Sequence, residues 1–250
     1  MKILFDSESS QMQVQVETGT RLNTLFGAIQ SEGWTWAAST DPITTAELAG
    51  YDVLAILTRY RATAPGTMNP FPPDQSFAYT PAEIAAIQAF VQGGKGLFLV
   101  SNHDFWTTND HVLAAAFGVT MQAAFFHIQN NPLMVMPVST SVVSSPVLYQ
   151  VDKVIAHDSC ALSTTAGTAF TPLVPIPPAA VDGSPLHLSP QGQFFAITFG
   201  YGSGKVIVSG NSGMFGDDGS TYPAPGLMPY GNNLMFMLNA LKYLGGLPIP

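Results

Sequence analysis

The side chains best suited to chemistry in this sequence lie in four short polar segments, each of which directly follows an apolar segment. These segments are Asp6-Ser7-Glu8, Arg59-Tyr60-Arg61, Ser101-Asn102-His103-Asp104 and Gly210-Asn211-Ser212-Gly213. Charged residues make up only 10% of the chain, well below the usual share, so their grouping at these points is informative. If the apolar segments are parallel strands, their carboxyl ends meet at the sheet edge where open α/β sheets bind ligands. We therefore predict a polar site at that edge.

His103 and Asp104 are the predicted catalytic residues of this site. An imidazole titrates near neutral pH and can act as a general base, and a neighbouring carboxylate can support it. An equally good interpretation is structural. In that case His103 caps the following helix, and Asp104 or Thr107 satisfies the first amides of that helix.

Arg59 and Arg61 are two of the three arginines in the chain. A guanidinium group at a strand end suits a carboxylate, a phosphate or the hydroxyl groups of a sugar. The alternative is an internal ion pair with Asp6 or Glu8, which would hold the loop and bind no ligand. The sequence leaves both interpretations open.

The remaining residues of the predicted site position or contact the substrate rather than react with it. Ser212 does not form a nucleophile elbow, because Met214 stands where the second glycine is needed, and Ser101 lacks the flanking glycines. Trp106 offers a ring for stacking, although such residues more often belong to the core. The predicted substrate-binding set is Asp6, Glu8, Arg59, Arg61, Ser101, Asn102, Trp106, Asn211 and Ser212.

No metal or cofactor site is predicted. The acidic and histidine side chains lack a diagnostic ligand spacing such as His-Glu-x-x-His. The pair Asp217-Asp218 precedes a glycine, which favours a solvated turn over a metal site.

The elements that position these residues follow from apolar runs and helix-capping signals. Apolar runs predict strands at Ile3–Phe5, Trp34–Ala38, Asp52–Thr58, Gly96–Val100 and Gly204–Ser209. Helical spacing predicts helices over 21–31 and Asn232–Leu244. A third helix begins at Thr80, where Pro81 and Glu83 complete a capping box.

Strands that alternate with helices predict an α/β fold, with a doubly wound, mainly parallel sheet. The second half of the chain differs, because residues 119–199 contain short β-rich segments with many prolines and serines. We expect one domain over residues 1–250, with 119–199 as a β-rich insertion within it.

Composition excludes several classes of protein. A hydrophobic fraction of 46% rules out a disordered chain, and a net charge of −8 without a basic segment argues against nucleic-acid binding. The single cysteine, Cys160, cannot form an intramolecular disulfide. No apolar run reaches the length needed to cross a membrane, and no signal peptide is recognised. We expect a soluble protein, cytoplasmic or a mature secreted form, with a small-molecule partner; its oligomeric state is left open.

Three segments together resemble the class I glutamine amidotransferase-like superfamily, especially its ThuA-like and DUF4350-like branches. They are Tyr51–Leu57, Thr80–Leu97 and Gly200–Ser212 with the Asn232–Leu244 helix after it. The resemblance implies a flavodoxin-like sheet with its site at the carboxyl ends of the strands. The catalytic members carry a cysteine after the fourth strand and a later His-x-Glu pair. Here Ser101 follows Val100 and no glutamate follows Glu83, so a cysteine-dependent glutaminase is rejected.

Three functions remain open. The first is a small-molecule hydrolase acting on a carbohydrate-like or other polar substrate, with His103 and Asp104 transferring protons. The second is a non-catalytic ligand- or protein-binding module of the same fold. The third and weakest is a metal-dependent esterase or deacetylase.

Overall fold

The computed structural model describes residues 1–6, 22–39, 42–59, 78–138, 145–165, 167–217 and 227–250, without the side chain of Phe105. Within these ranges the chain forms one large mixed sheet with helices against it, and a separate two-stranded sheet. The strands are β1 Lys2–Asp6, β2 Thr35–Ser39, β3 Val53–Leu57, β4 Gly96–Val100, β5 Val119–His127, β6 Met134–Pro137, β7 Lys153–Ala156, β8 Ser159–Thr164, β9 Thr171–Pro175, β10 Val181–Asp182, β11 Phe194–Tyr201 and β12 Gly204–Ser209.

Five strands of the large sheet run parallel, in the order β2-β1-β3-β4-β12. Their registers align Ile3 with Val53, Val53 with Gly96, and Gly96 with Lys205. Because the strands start level and are similar in length, they also end level. The polar residues that follow β1, β3, β4 and β12 therefore share one edge of the sheet.

The sheet continues beyond β12 as an antiparallel half. Strand β11 pairs with both β12 and β9. Strand β8 pairs with β11 and with β5, and the short β10 pairs with β5 at the outer edge of the sheet. Strands β6 and β7 form the two-stranded sheet. Most of this half comes from the segment predicted to be β-rich.

The helices are α1 Asn23–Ser31, α2 Thr45–Leu48, α3 Pro81–Gln92, α4 Asp110–Ala116 and α5 Asn233–Leu244. Alternate residues of each strand point to opposite faces of the sheet and enter two apolar cores. Phe98 and Ile207 pack on the side of α1 and α5, whereas Leu97 and Val206 pack on the side of α3. The predicted flavodoxin-like α/β fold with a β-rich second half is confirmed, whereas the single-domain assignment stays a prediction.

The predicted capping box of α3 is present. The Thr80 hydroxyl accepts a hydrogen bond from the Glu83 backbone N–H, and the Glu83 carboxylate accepts one from the Thr80 backbone N–H. Pro81 occupies the first turn, where its missing N–H costs nothing. This cap also fixes the direction in which the Glu83 carboxylate points, which matters at the site below.

Candidate active site

Arg59, which follows β3, is enclosed within the protein. Its side chain pairs with Asp6 through Nε and with Glu83 through Nη1, at 2.8 Å each, and its guanidinium lies 3.9 Å from the centre of the Tyr79 ring. Only 4% of Arg59 and 1% of Asp6 are exposed. This pairing favours the structural interpretation of Arg59 and Asp6, and their role in substrate binding stays a prediction. The alternative, an internal ion pair with Asp6, describes what the structure contains.

Glu83 is a second carboxylate partner of Arg59. Burial raises the pKa of Glu83, but hydrogen bonds from the Thr80 backbone and from Arg59 outweigh it and the pKa is lowered. The residue therefore stays charged at neutral pH. One glutamate thus caps α3 and neutralises the arginine at the end of β3.

Asp110, the first residue of α4, completes this group and is fully buried. Its Oδ1 accepts the backbone N–H of Arg59 at 3.1 Å. Burial raises the pKa of Asp110 to about 8, although the Arg59 N–H and the Ser101 hydroxyl lower it. Ser101 is itself fully buried beside Asp110, and its contact with the substrate stays a prediction. We call Asp6, Arg59, Tyr79, Glu83 and Asp110 the Arg59 cluster.

A second group lies at the ends of β4 and β12 and is open to solvent. His103 stands between two carboxylates: its Nδ1 is 3.3 Å from Asp104 Oδ2, and its Nε2 is 3.5 Å from Asp158 Oδ2. The exposed side-chain fractions are 21% for His103, 34% for Asp104 and 17% for Asp158. Both predicted catalytic residues thus meet, and they gain a partner that the sequence did not indicate.

Asp158 reaches His103 because β8 begins beside the loop that follows β12. The backbone N–H of Cys160 donates to the Gly210 carbonyl at 3.1 Å. A Cβ on Gly210 would overlap the Ser159 hydroxyl, so only glycine permits this approach. Asn211 then donates from Nδ2 to Asp158 Oδ1 at 2.7 Å.

Buried amide side chains hold this arrangement in place. Asn211 Nδ2 also contacts Asn102 Oδ1 at 3.2 Å, and the same Asn102 oxygen accepts the backbone N–H of His103 at 2.9 Å. Asn211 Oδ1 accepts the Met214 N–H, and Asn102 Nδ2 lies 3.4 Å from the Ser212 hydroxyl. Asn102, Asn211 and Ser212 are buried. Asn102 and Asn211 hold the His103 backbone and the Asp158 carboxyl group in place, and the contact of all three residues with the substrate stays a prediction.

Burial dominates the electrostatics of Asp158. It raises the pKa of Asp158, although the charges of His103 and His157 and the Asn211 hydrogen bond lower it. Asp158 therefore holds a proton more readily than an exposed aspartate does. We call Asn102, His103, Asp104, Asp158 and Asn211 the His103 cluster.

Asp104 adopts a backbone conformation that is uncommon for a residue with a side chain, with φ of 47°. In this conformation its carboxylate faces the preceding residue, His103. A short 3₁₀ helix, Asp104–Thr107, begins directly after His103, and α4 begins at Asp110, so the helix-capping interpretation stays a prediction. Its N-cap Asn109 makes no side-chain capping hydrogen bond, and the Thr107 hydroxyl donates to the Asp104 carbonyl.

The other predicted residues lie at the margin of the site or outside it. Trp106 is partly buried, and its backbone N–H donates to the His103 carbonyl at 3.1 Å. Glu8 and Arg61 lie outside the described residues, as does Asp218. Asp217 accepts the backbone N–H of Thr24 at the start of α1.

Sequence reasoning missed Glu83, Asp110 and Asp158 as members of these clusters. Glu83 was interpreted only as a helix cap, and Asp110 carried no motif. Asp158 precedes β8 rather than following a parallel strand, so the strand-end rule could not find it. Its one sequence signal was its place in a His-Asp-Ser segment between two predicted β segments.

No metal centre was found among the described residues of the clusters. In the described part of the chain, no three histidine, cysteine or acidic side chains are placed to hold a metal ion. Two cavities, of about 560 and 230 Å³, lie along β2 and between α2 and α3. Their linings contain none of the residues of either cluster, so we locate the chemistry by its reactive groups rather than by cavity size.

The fold defines the chain as a flavodoxin-like α/β protein, and solved structures share it over nearly their whole length. The N-terminal domain of mmIFT52 superposes with a TM-score of 0.67 at 15% identity, covering 98% of this chain and 97% of that one. Cytoplasmic protein STM1381 from Salmonella typhimurium LT2 gives 0.61 at 15% identity, over 98% and 99% of the two chains. A ThuA-like protein from Parabacteroides merdae ATCC 43184 gives 0.57 at 10% identity, over 100% and 92%.

These similarities support the glutamine amidotransferase-like fold implied by the sequence resemblance. At such low identity they carry no information about chemistry. No family model matches the sequence, and no curated protein matches it. The described residues contain no helix with the length and apolar character of a membrane span.

Proposed function

We propose that this protein is a small-molecule hydrolase that acts on a carbohydrate-like or other polar substrate at the His103 cluster. The observation that supports the proposal is the partly exposed His103 imidazole, which has a carboxylate facing each ring nitrogen. An imidazole flanked in this way can accept and return a proton near neutral pH. The Arg59 cluster takes no part in the reaction, because its charges are neutralised inside the protein.

The two flanking carboxylates have different roles in the proposed mechanism. Asp104, at 3.3 Å from Nδ1, orients the ring and favours the tautomer in which Nδ1 carries the proton. Nε2 then faces Asp158 as a base. The 3.5 Å between Nε2 and Asp158 Oδ2 is longer than an ordinary hydrogen bond, so Nε2 stays available to a water molecule that binds beside the pair.

Hydrolysis at this site needs no external reactant except water. His103 Nε2 removes a proton from the water as its oxygen attacks the substrate carbon. The bond from that carbon to the leaving oxygen breaks, and protonated Asp158 gives its proton to that oxygen. The imidazolium then returns the water's proton to the Asp158 carboxylate, which restores both groups.

The test is turnover of a panel of p-nitrophenyl glycosides and p-nitrophenyl acetate by the wild-type protein and by His103→Gln. We expect His103→Gln to lower kcat about 100-fold or more, because general-base catalysis contributes on that order. The matched control is His111→Gln on the exposed side of α4, which should leave kcat unchanged.

Two results would count against the hydrolase. Full turnover by His103→Gln would remove His103 from the mechanism. If the wild-type protein cleaved no member of the panel, the alternative of a non-catalytic binding module would be favoured instead.

A further inference from the structure

A row of three aromatic rings leads away from the His103 cluster along β5. The ring centres of His103 and Phe125 are 4.7 Å apart, and those of Phe125 and His127 are 4.9 Å apart. Because side chains alternate along a strand, Phe125 and His127 share one face of β5, while Phe126 points to the opposite face and is fully buried. We call His103, Phe125 and His127 the aromatic row. All three rings are partly buried, so part of each remains open.

The hydrogen bond made by His127 fixes the role of its second nitrogen. Its Nδ1 lies 3.2 Å from the Phe125 carbonyl oxygen, which can only accept a hydrogen bond. Nδ1 must therefore carry the proton, and Nε2 of the neutral ring is an acceptor. The far end of the aromatic row thus presents a group that can bind a hydroxyl donor.

The segment after β10 holds the aromatic row from one side. Asp182 accepts the backbone N–H groups of Phe125, Ser184 and Leu188, each at 2.9 Å. A Cβ on Gly183 would lie 3.0 Å from ring atoms of both Phe125 and His127. The row is therefore a pre-organised surface, with its backbone anchored and its rings packed against a glycine.

The charges around the aromatic row select against anions. Asp104 and Asp158 lie at its inner end, next to His103. Within the described ranges neither carboxylate pairs with a lysine or arginine, and Arg59 is turned inward to Asp6 and Glu83. A phosphate or carboxylate bound here would meet the Asp104 carboxylate, and the Asp158 carboxyl group behind it, without a lysine or arginine beside them.

We propose that Phe125 and His127 form a second subsite that binds the non-reacting part of the substrate, and that this substrate is an uncharged, ring-shaped polyol. Such a ring packs against the exposed edges of the aromatic row, because the rings of the row stack or tilt against one another and cover part of each other's faces. Its hydroxyl groups donate to His127 Nε2 and to the Asp104 carboxylate. Only the placement of the reacting bond beside His103 rests on the proposed hydrolase function. Binding at the row does not depend on it.

The experiment measures binding and turnover separately. Isothermal titration calorimetry with maltose and cellobiose reports on the subsite, and glucose 6-phosphate serves as the anionic probe. We expect Phe125→Ala, Phe125→Leu and His127→Gln to weaken disaccharide binding about tenfold. Matched controls are Phe170→Ala and His111→Gln, which change the same residue types away from the row. Glucose 6-phosphate should bind at least about tenfold more weakly than the disaccharides.

The outcomes separate this inference from the proposed function. If His103→Gln loses turnover but the Phe125 and His127 variants bind like wild type, the subsite is wrong and the hydrolase stands. If no probe is cleaved but these variants lose binding, the subsite stands without the reaction. Failure of the wild-type protein to bind either disaccharide, or equal binding of glucose 6-phosphate, overturns the proposal. Retained binding by Phe125→Leu and His127→Gln overturns it even if Phe125→Ala fails to fold.

Discussion

The Arg59 cluster and the His103 cluster lie at the same edge of the same sheet but differ in burial and in how their charges are paired. The Arg59 cluster surrounds one cation with acidic groups and a tyrosine ring, and it is closed to solvent. The His103 cluster keeps a titratable ring between two carboxylates and remains partly exposed. Ionisable residues at strand ends therefore identify a candidate region but not a reactive one. Burial and pairing of charges distinguish the group that holds the strands together from the group that stays open to a ligand.

The largest effect on stability should come from removing the positive charge of the Arg59 cluster. Arg59→Met leaves the buried carboxylates of Asp6 and Glu83 without their partner. We expect the free energy of unfolding to fall by about 3–5 kcal/mol, measured by urea denaturation. Lys95→Met is the control, because it breaks a pair with Asp52 that is about 40% exposed and should cost at most about 1 kcal/mol. Equal losses for the two variants would contradict the assignment of the Arg59 cluster as a structural centre.

Asp110 should give the Arg59 cluster a distinctive pH dependence. Its carboxyl group titrates near 3.8 when unperturbed and near 8 in the folded protein, where burial raises the pKa. Between these values the folded protein holds a proton that the unfolded chain has lost. The stabilising contribution of Asp110 therefore falls as pH rises and is lost above about pH 8.

Asp110→Asn should remove this dependence, because an amide resembles the protonated acid and does not titrate. We expect its unfolding free energy relative to wild type to rise by at most about 1.4 kcal/mol per pH unit between pH 4 and 8. Urea denaturation of both proteins across this range provides the measurement. A difference that stays constant with pH would show that Asp110 is charged in the folded state.

The smallest effect on stability is expected at the His103 cluster. His103→Gln breaks only partly exposed contacts at 3.3 and 3.5 Å, so its unfolding free energy should change by less than about 1 kcal/mol. The measurement is thermal or urea denaturation next to Arg59→Met. A loss as large as that of Arg59→Met would mean that both clusters are structural, and the comparison between them would no longer hold.

The parts of the fold that depend on local signals were predictable from the sequence. The capping box at Thr80 marked the start of α3, and the predicted Asp52–Thr58 and Asn232–Leu244 segments nearly coincide with β3 and α5. Buried parallel strands can be recognised from their continuous apolar runs, because both faces of such strands are covered. The same signals placed His103 and Asp104 at the correct edge.

The partners of the site residues were not predictable, since they arise from pairing between distant segments. Asp158 contacts His103 only because β8 packs beside the loop after β12, about 50 residues further along. Likewise, nothing local indicates that Arg59 faces inward toward Glu83. The sequence left Arg59 with two interpretations, and the direction of one side chain decided between them.

Gly210 gives this architecture an unusual point of vulnerability. A Cβ there would overlap the Ser159 hydroxyl and lie 3.1 Å from the Cys160 carbonyl oxygen. An alanine would alter no charge, yet the Ser159 side chain would have to turn and the start of β8 would have to shift by a few tenths of an ångström. The contact between β8 and the loop that carries Asn211 thus depends on a residue that has no side chain at all.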